Sequence, residues 1–254
     1  MTSLPINPYL RATPVMGVAS VPRPATPAVV YARLPRAPLT ASPVPELTSL
    51  WHDPDPGEWG DRSYPGNCSG SLIHAVLRFY GVASVYDPMS GSGTCREVCR
   101  DLGIACVSGD IHAGQDACEP RFTEAFDFCW LHPPYWRQKL YAADPRDLSR
   151  CPTLDAFLAR YEQLIRSCSQ ALVPGGRLAV LMGDYHDREC GFVPLVYHTK
   201  RLAFAAGLRQ CATDVIRFSH GASSGRKAYR SAFIPGLHDT LTVFTKPHPE
   251  GAEP

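Results

Sequence analysis

No run in this chain approaches the roughly 20 apolar residues that a bilayer-spanning helix needs, and no segment reads as a secretory leader. Cysteine pairs with C-x-x-C spacing are absent, although there are ten cysteines. Cys95 and Cys99 lie four apart in a helical pattern, which fits buried thiols better than a zinc site. A reducing cytoplasm, no structural metal and no membrane contact are the expectations. Charge of one sign is also lacking. The net charge is only +1, which removes any whole-molecule electrostatic argument for nucleic acid. Internal repeats are not visible. What remains is the composition of a globular protein, 44% hydrophobic and 19% charged over 254 residues, enough for one sizeable core.

What is present is unevenly spread. Residues 1–48 hold ten of the 25 prolines, four arginines and a single acid, Glu46. Such a stretch cannot form regular helix or central strand, and it is expected to be a mostly disordered tail. A folded domain is expected over 49–247, with a short disordered tail at 248–254. Between Leu195 and Lys246 there are eight Lys/Arg against two acids, whereas Trp51 to Asp61 holds four acids and no base. The basic stretch suits phosphates and equally suits an ordinary solvated surface.

Periodicity becomes regular after the tail. Helical spacing covers Ser69–Tyr80, Thr94–Leu102, Leu154–Leu172 and Leu195–Ala206. Short apolar runs at Ala83–Asp87, Ile104–Gly109, Phe126–Leu131, Arg177–Gly183, Gln210–Phe218 and Asp239–Lys246 read as strands. Pro174-Gly175-Gly176 is expected to stop the third helix. Strands alternating with helices predict an α/β domain with a mainly parallel sheet. Ligands in such sheets bind beyond the carboxyl ends of the strands.

Two strand ends carry chemistry. The first is YDPMSGSGT, Tyr86 to Thr94. Gly91 and Gly93 can adopt backbone angles closed to other residues and let a ligand approach the main chain. Asp87 stands at the strand end. The segment lacks the Lys-[ST] ending of a P-loop and departs from G-x-G-x-x-G, so it is either a ligand turn of another kind or a tight connection. Asp110 ends the next strand, where doubly wound folds commonly hold a ribose diol. Asp116 is within reach of an adenine amino group. Both acids would be equally ordinary as solvated loop residues. The second strand end is FDFCWLHPPYW, Phe126 to Trp136, where prolines and two rings interrupt what reads as a buried strand.

DPMSGSGT, followed by a strand that ends in HPPYW, resembles the S-adenosyl-L-methionine-dependent DNA amino-methyltransferases. These enzymes methylate cytosine N4 or adenine N6, with motifs DPxxGSGT and [DNS]-PP-[YFW]. The likeness extends over about Leu50 to Lys246. SLWHDPDPGEWGDRSYPGN resembles the segment that closes over the methionine end of the cofactor, and GLHDTLTVFTK the closing strand. The resemblance implies a Rossmann-like methyltransferase fold, with a mainly parallel seven-stranded sheet and helices on both faces. It implies cofactor contacts from Asp87, Pro88, Met89, Gly91, Gly93 and Thr94. Asp110 would hold the ribose and Asp116 the adenine, with Tyr64, Pro65 and Asn67 near the methionine portion. His132, Pro133, Pro134 and Tyr135 would form the catalytic loop, with Tyr135 stacking on a flipped base. His132 departs from the motif, because histidine accepts a hydrogen bond only through an unprotonated ring nitrogen.

Target recognition has little room. Two loops are candidates: Arg137–Cys151, including Arg137 and Lys139 next to Trp136, and Ser219–Pro235, with Arg226, Lys227, Tyr229 and Arg230. Basic residues interleaved with aromatics suit phosphate contact and base stacking. So small a surface implies a short target, a homo-oligomer or a partner subunit. The alternatives to a DNA methyltransferase are an RNA or protein-amide N-methyltransferase, and an inactive DNA- or cofactor-binding subunit of a modification or defence complex.

Overall fold

In the computed structural model of the chain, the described residues are 40–55, 57–119, 124–219 and 234–249. The predicted helices form where the periodicity places them. Helix α1 (Gly70–Tyr80) starts after Ser69 and ends at Gly81, whose left-handed φ of 60° lets its N–H donate to the Leu77 carbonyl. Helix α2 spans Thr94–Leu102, α3 spans Leu154–Ala171 and α4 spans Leu195–Ala205. The Thr153 hydroxyl caps α3 by accepting from the Ala156 N–H at 3.1 Å. None of these helices is long and apolar enough to cross a membrane.

The strands are β1 (Leu50–His52), β2 (Ser84–Asp87), β3 (Ala105–Ser108), β4 (Phe126–Leu131), β5 (Leu172–Met182), β6 (Tyr185–Asp187), β7 (Gly191–Val193), β8 (Arg209–Gln210), β9 (Val215–Phe218) and β10 (His238–Thr245). The main sheet runs β1-β9-β10-β5-β4-β2-β3, with β8 added against β10. Among the described residues it therefore has eight strands where seven were expected. Strands β3, β2, β4 and β5 are parallel, β10 is antiparallel to β5 and to β9, and β1 is parallel to β9. This is a Rossmann-like, doubly wound α/β sheet with one reversed strand. Sequence reading missed β1, because it is three residues long and its partner lies far along the chain, Leu50 standing opposite Ile216.

Alternation along the central strands separates two cores. Cys129, Leu131, Val180 and Met182 pack with α3 and α4 on one face. Phe128, Trp130, Ala179 and Leu181 pack with α1 and α2 on the other. Helices therefore cover both faces, and the near-continuous apolar run of β4 is what a strand buried on both sides requires.

Three expectations change. Pro174-Gly175-Gly176 does not separate helix from strand, because β5 begins at Leu172 and passes through it. Gly175 N–H donates to the Lys246 carbonyl and Lys246 N–H to the Gly176 carbonyl, both at 2.8 Å, so the segment is tied to the end of β10. Pairing jumps from Phe126↔Leu172 to Phe128↔Arg177, leaving 173–176 as a bulge. The stretch Gln210–Phe218 divides into β8 and β9, because the Gln210 amide turns back to the Ala212 carbonyl and Asp214. The boundary at residue 48 also moves, since Val44 is buried and Leu47 packs against the α1/α2 core.

One charged cluster is buried at the β1–β9–β10 edge. Arg217 Nε donates to Asp53 at 2.7 Å and its Nη1 to Asp239 at 3.3 Å. Asp53 also accepts from Ser71 Oγ at 2.8 Å and from Ser69 Oγ, at the start of α1. Removing one member of a buried ion cluster strands the others in low dielectric. Arg217→Ala is therefore expected to cost about 3–5 kcal/mol, measured by urea unfolding at neutral pH; a loss below about 1 kcal/mol, the value of a surface pair, would contradict a buried structural role.

Candidate functional site

The strand order reverses at β2, which has β3 on one side and β4 on the other. The carboxyl ends of β2 and β4 flank this switch point, the place where open α/β sheets bind ligands. Asp87 ends β2, and His132 follows β4 directly. A cavity open to solvent on one side lies there. Of the predicted residues, Tyr64, Asp87, Pro88, Met89, Gly91, Thr94, Asp110, Asp116, His132 and Pro134 line it. Pro65, Asn67, Gly93, Pro133 and Tyr135 do not.

The glycine turn is held from three sides. Gly91 has φ +46° and sits against the Tyr64 ring, where an added Cβ would be 3.0 Å from a ring carbon. Its N–H donates to Asp110 Oδ2 at 2.9 Å. Gly93, at φ +80°, opens α2. The Ser92 and Thr94 hydroxyls both donate to Asn67 Oδ1 at 2.8 Å, so Asn67 acts behind the turn instead of in the cavity. The acidic segment before α1 lies across α2: Gly60 N–H donates to Glu97 at 2.7 Å and the Trp59 indole to Asp101 at 2.6 Å. Tyr64 and Tyr141 stack with centroids 6.0 Å apart, and burial pushes the Tyr64 phenol up to about 12.

The two acids assigned to a nucleoside are already engaged. Asp110 accepts from Gly91 and from the His112 N–H at 2.8 Å, and its carboxylate raises the His112 imidazole. Asp116 accepts from Arg160 at 2.9 Å and from the Cys118 N–H. A ligand hydroxyl would share or displace these bonds.

The catalytic-loop candidate is fixed by the residue after it. Trp136 adopts φ +47°, rare for a bulky residue, and is 1% exposed. Its indole N–H donates to the Cys151 carbonyl at 2.9 Å, and the Arg137 guanidinium lies 4.4 Å above its ring. Trp136 is therefore an anchor of the loop, which corrects its assignment to a nucleic-acid surface. Arg137 is likewise occupied, bonding Asp187 at 2.7 and 2.8 Å and Glu189 at 2.6 Å on the β6–β7 hairpin. Lys139 is exposed. Arg226, Lys227, Tyr229 and Arg230 lie outside the described residues.

Tyr135 packs edge-on to His132 and shares a 3.2 Å hydrogen bond between its hydroxyl and His132 Nε2. Its ring leaves no space for a Cβ on Gly183, which would be 2.7 Å away. Burial, with the Asp239 carboxylate second, raises its phenol well above the ordinary value. Tyr135 is thus linked through Asp239 to the buried Arg217 cluster.

Several wall residues had no motif to signal them. Trp130 faces the cavity from β4, and Tyr141, Arg146, Asp147 and Leu148 come from the loop expected to meet nucleic acid. That loop folds back over the site: Asp147 is buried and accepts from the Ala142 N–H and the Ser149 hydroxyl.

No model of a protein family and no curated protein matches this chain. Solved structures do match in part. A protein of Thermus thermophilus, provisionally assigned as a DNA modification methylase and complexed with S-adenosyl-L-methionine, is 20% identical at a TM-score of 0.36. The match covers 55% of this chain and 56% of that one, so the chain spans about half its length. A provisionally assigned sarcosine dimethylglycine methyltransferase of Galdieria sulphuraria is 16% identical, TM-score 0.46, covering 70% of this chain and 84% of that one. The N-methyltransferase NodS of Bradyrhizobium japonicum, with S-adenosyl-L-homocysteine, is 14% identical, TM-score 0.38, covering 78% and 77%.

Asp87 yields a test of the site. It is 2% exposed, and burial, then the neighbouring Cys106, raises its carboxyl well above the usual range. A carboxyl with a raised folded pKa stabilises the protein below its unfolded pKa, and that contribution is lost as pH rises. Asp87→Asn removes the buried charge and keeps an acceptor for the Met89 N–H, bonded at 3.3 Å. The ligand-free variant is expected to melt at a higher temperature than the parent at pH 8, with the gap closing toward pH 4. A lower melting temperature at both pH values would contradict this.

Proposed function

We propose that this chain is a methyltransferase that uses S-adenosyl-L-methionine to methylate an exocyclic amine, N4 of cytosine or N6 of adenine, of a base flipped out of DNA. The observation that carries this reading is one cavity, at the sheet's switch point, lined by both the glycine turn and His132. The close approach of Gly91 to Tyr64 and the buried Asp87 fit a turn that takes the ligand against its backbone. The DPMSGSGT and HPPYW motifs supply the choice of cofactor and of a planar amine as acceptor.

In this reading Asp87 to Thr94 and Tyr64 hold the cofactor's amino-acid end, and Asp110 and Asp116 its nucleoside. Bound there, the sulfonium supplies an electrophilic methyl group. The chain's task is to present the amine and take up its proton. An exocyclic amine has its lone pair delocalised into the ring, and accepting its N–H bonds favours a more tetrahedral nitrogen. His132 is the side-chain acceptor, and Pro133 and Pro134 are buried and keep the loop rigid. Tyr135 orients the imidazole through its hydroxyl. Holding donor and acceptor in line supplies much of the rate. Lys139, the exposed base beside the loop, is the first candidate for a phosphate contact.

The test is digestion of DNA after incubation with the protein and cofactor, followed by mass spectrometry of the nucleosides. N4-methylcytosine or N6-methyladenine is expected. Methylated tRNA or rRNA beside unmodified DNA would replace DNA as the substrate, and no cofactor binding would remove the enzyme reading altogether. Tyr135→Phe, which deletes the hydroxyl that His132 and Asp239 share, is expected to lower turnover by about 100-fold without changing cofactor affinity. Equal loss of both would contradict a role confined to the loop.

A further inference from the structure

The α2 face that supports the glycine turn carries a feature the methyl-transfer reading does not use. Cys95 and Cys99, four apart, share one side of α2. The fold brings Cys106, from the neighbouring β3, to the same spot. The three sulfurs lie within 4.8 Å of one another, and all three are free thiols. Cys95 and Cys99 are buried, and Cys106 is half-buried at the edge.

We propose that Cys95, Cys99 and Cys106 form a site for one thiophilic d10 cation, Zn2+ or Cu+, between α2 and β3 beneath the glycine turn. Metal–sulfur bonds of about 2.3 Å place three coordinating thiolates about 4 Å apart. The observed spread needs an inward movement of under about 1 Å, within reach of side-chain rotation alone. Thiolate-only donors select soft or borderline ions over Mg2+ and Ca2+. Cys95 lies in the first turn of α2, and Arg96 adds positive charge beside Cys106. The half-buried edge at Cys106 gives the ion a way in. Ser108 Oγ, 3.5 Å from Cys106 Sγ, or a water from that edge completes a fourth position for Zn2+. Cu+ is satisfied by three sulfurs. Binding releases the three thiol protons to solvent. The C-x-x-C pattern is not needed, because the third ligand comes from the next strand.

This inference is independent of the methyl-transfer reading. Its test is titration of the reduced full chain, stripped of metal, with Zn2+ against a chromophoric chelator and separately with Cu+ under anaerobic conditions. One equivalent of Zn2+ or of Cu+ is expected to bind the parent and Cys190→Ser, a control at an exposed cysteine outside the cluster. The ion that binds tells the two apart. Cys106→Ser, at a half-buried position, is expected to keep its fold by circular dichroism and to lose that equivalent; Cys99→Ala takes its place if it does not fold. Binding of neither ion by the parent, or equal binding by parent and folded variant, would overturn the proposal.

Discussion

The guanidinium of Arg217 is the point on which the reacting side of the fold depends. It is buried between Asp53, which leads from β1 toward α1, and Asp239, at the start of the reversed strand β10. Asp53 in turn receives Ser69 and Ser71 at the α1 N-terminus. A single charge therefore joins an edge strand, a helix start and the reversed strand. Burying such a cluster is costly unless every member is paired, so the geometry of these elements is set together. Tyr135 packs over Gly183 and next to Asp239, which places His132 in the cavity as a consequence of the same cluster.

On the opposite wall the glycine turn is fixed by polar contacts as well as by the Tyr64 ring against Gly91. Asn67 receives two hydroxyls of the turn, and Asp110 receives the Gly91 N–H. Asp87 is buried behind them at a cost to stability. A site in which donors and acceptors are already oriented spends little free energy on rearrangement when ligand arrives. The two walls are built differently but open into one cavity, because the sheet reverses order between β2 and β4.

Much of this was legible in the residues. Periodicity located α1 to α4 within one or two residues, since each helix buries one apolar face, and α1, α2 and α3 start after serine, glycine and threonine. The turn after Asp87 and the loop after Leu131 were readable because glycine and proline leave a local signature. The role of Trp136 was not, because nothing local distinguishes a tryptophan that stacks on a base from one that anchors a loop through Cys151. The β6–β7 hairpin was hidden for a related reason: its turn is closed by Asp187, which accepts from the Glu189 and Cys190 N–H groups at 2.9 Å and simultaneously holds Arg137. The strand pairing of Pro174-Gly175-Gly176 depends on Lys246, at the far end of the domain sequence. Cys106 joins Cys95 and Cys99 only once β3 is laid beside α2. These are tertiary facts, and sequence spacing does not encode them.

In the proposed reading, one ligand spans the glycine turn and the segment after β3. Hydrogen–deuterium exchange of the full chain with and without S-adenosyl-L-homocysteine tests it most directly. Slowed exchange is expected at residues 88–94 and 110–117 together, with β1 and β9 unchanged. No slowing, or slowing confined to a region away from the carboxyl ends of β2 and β3, would contradict it.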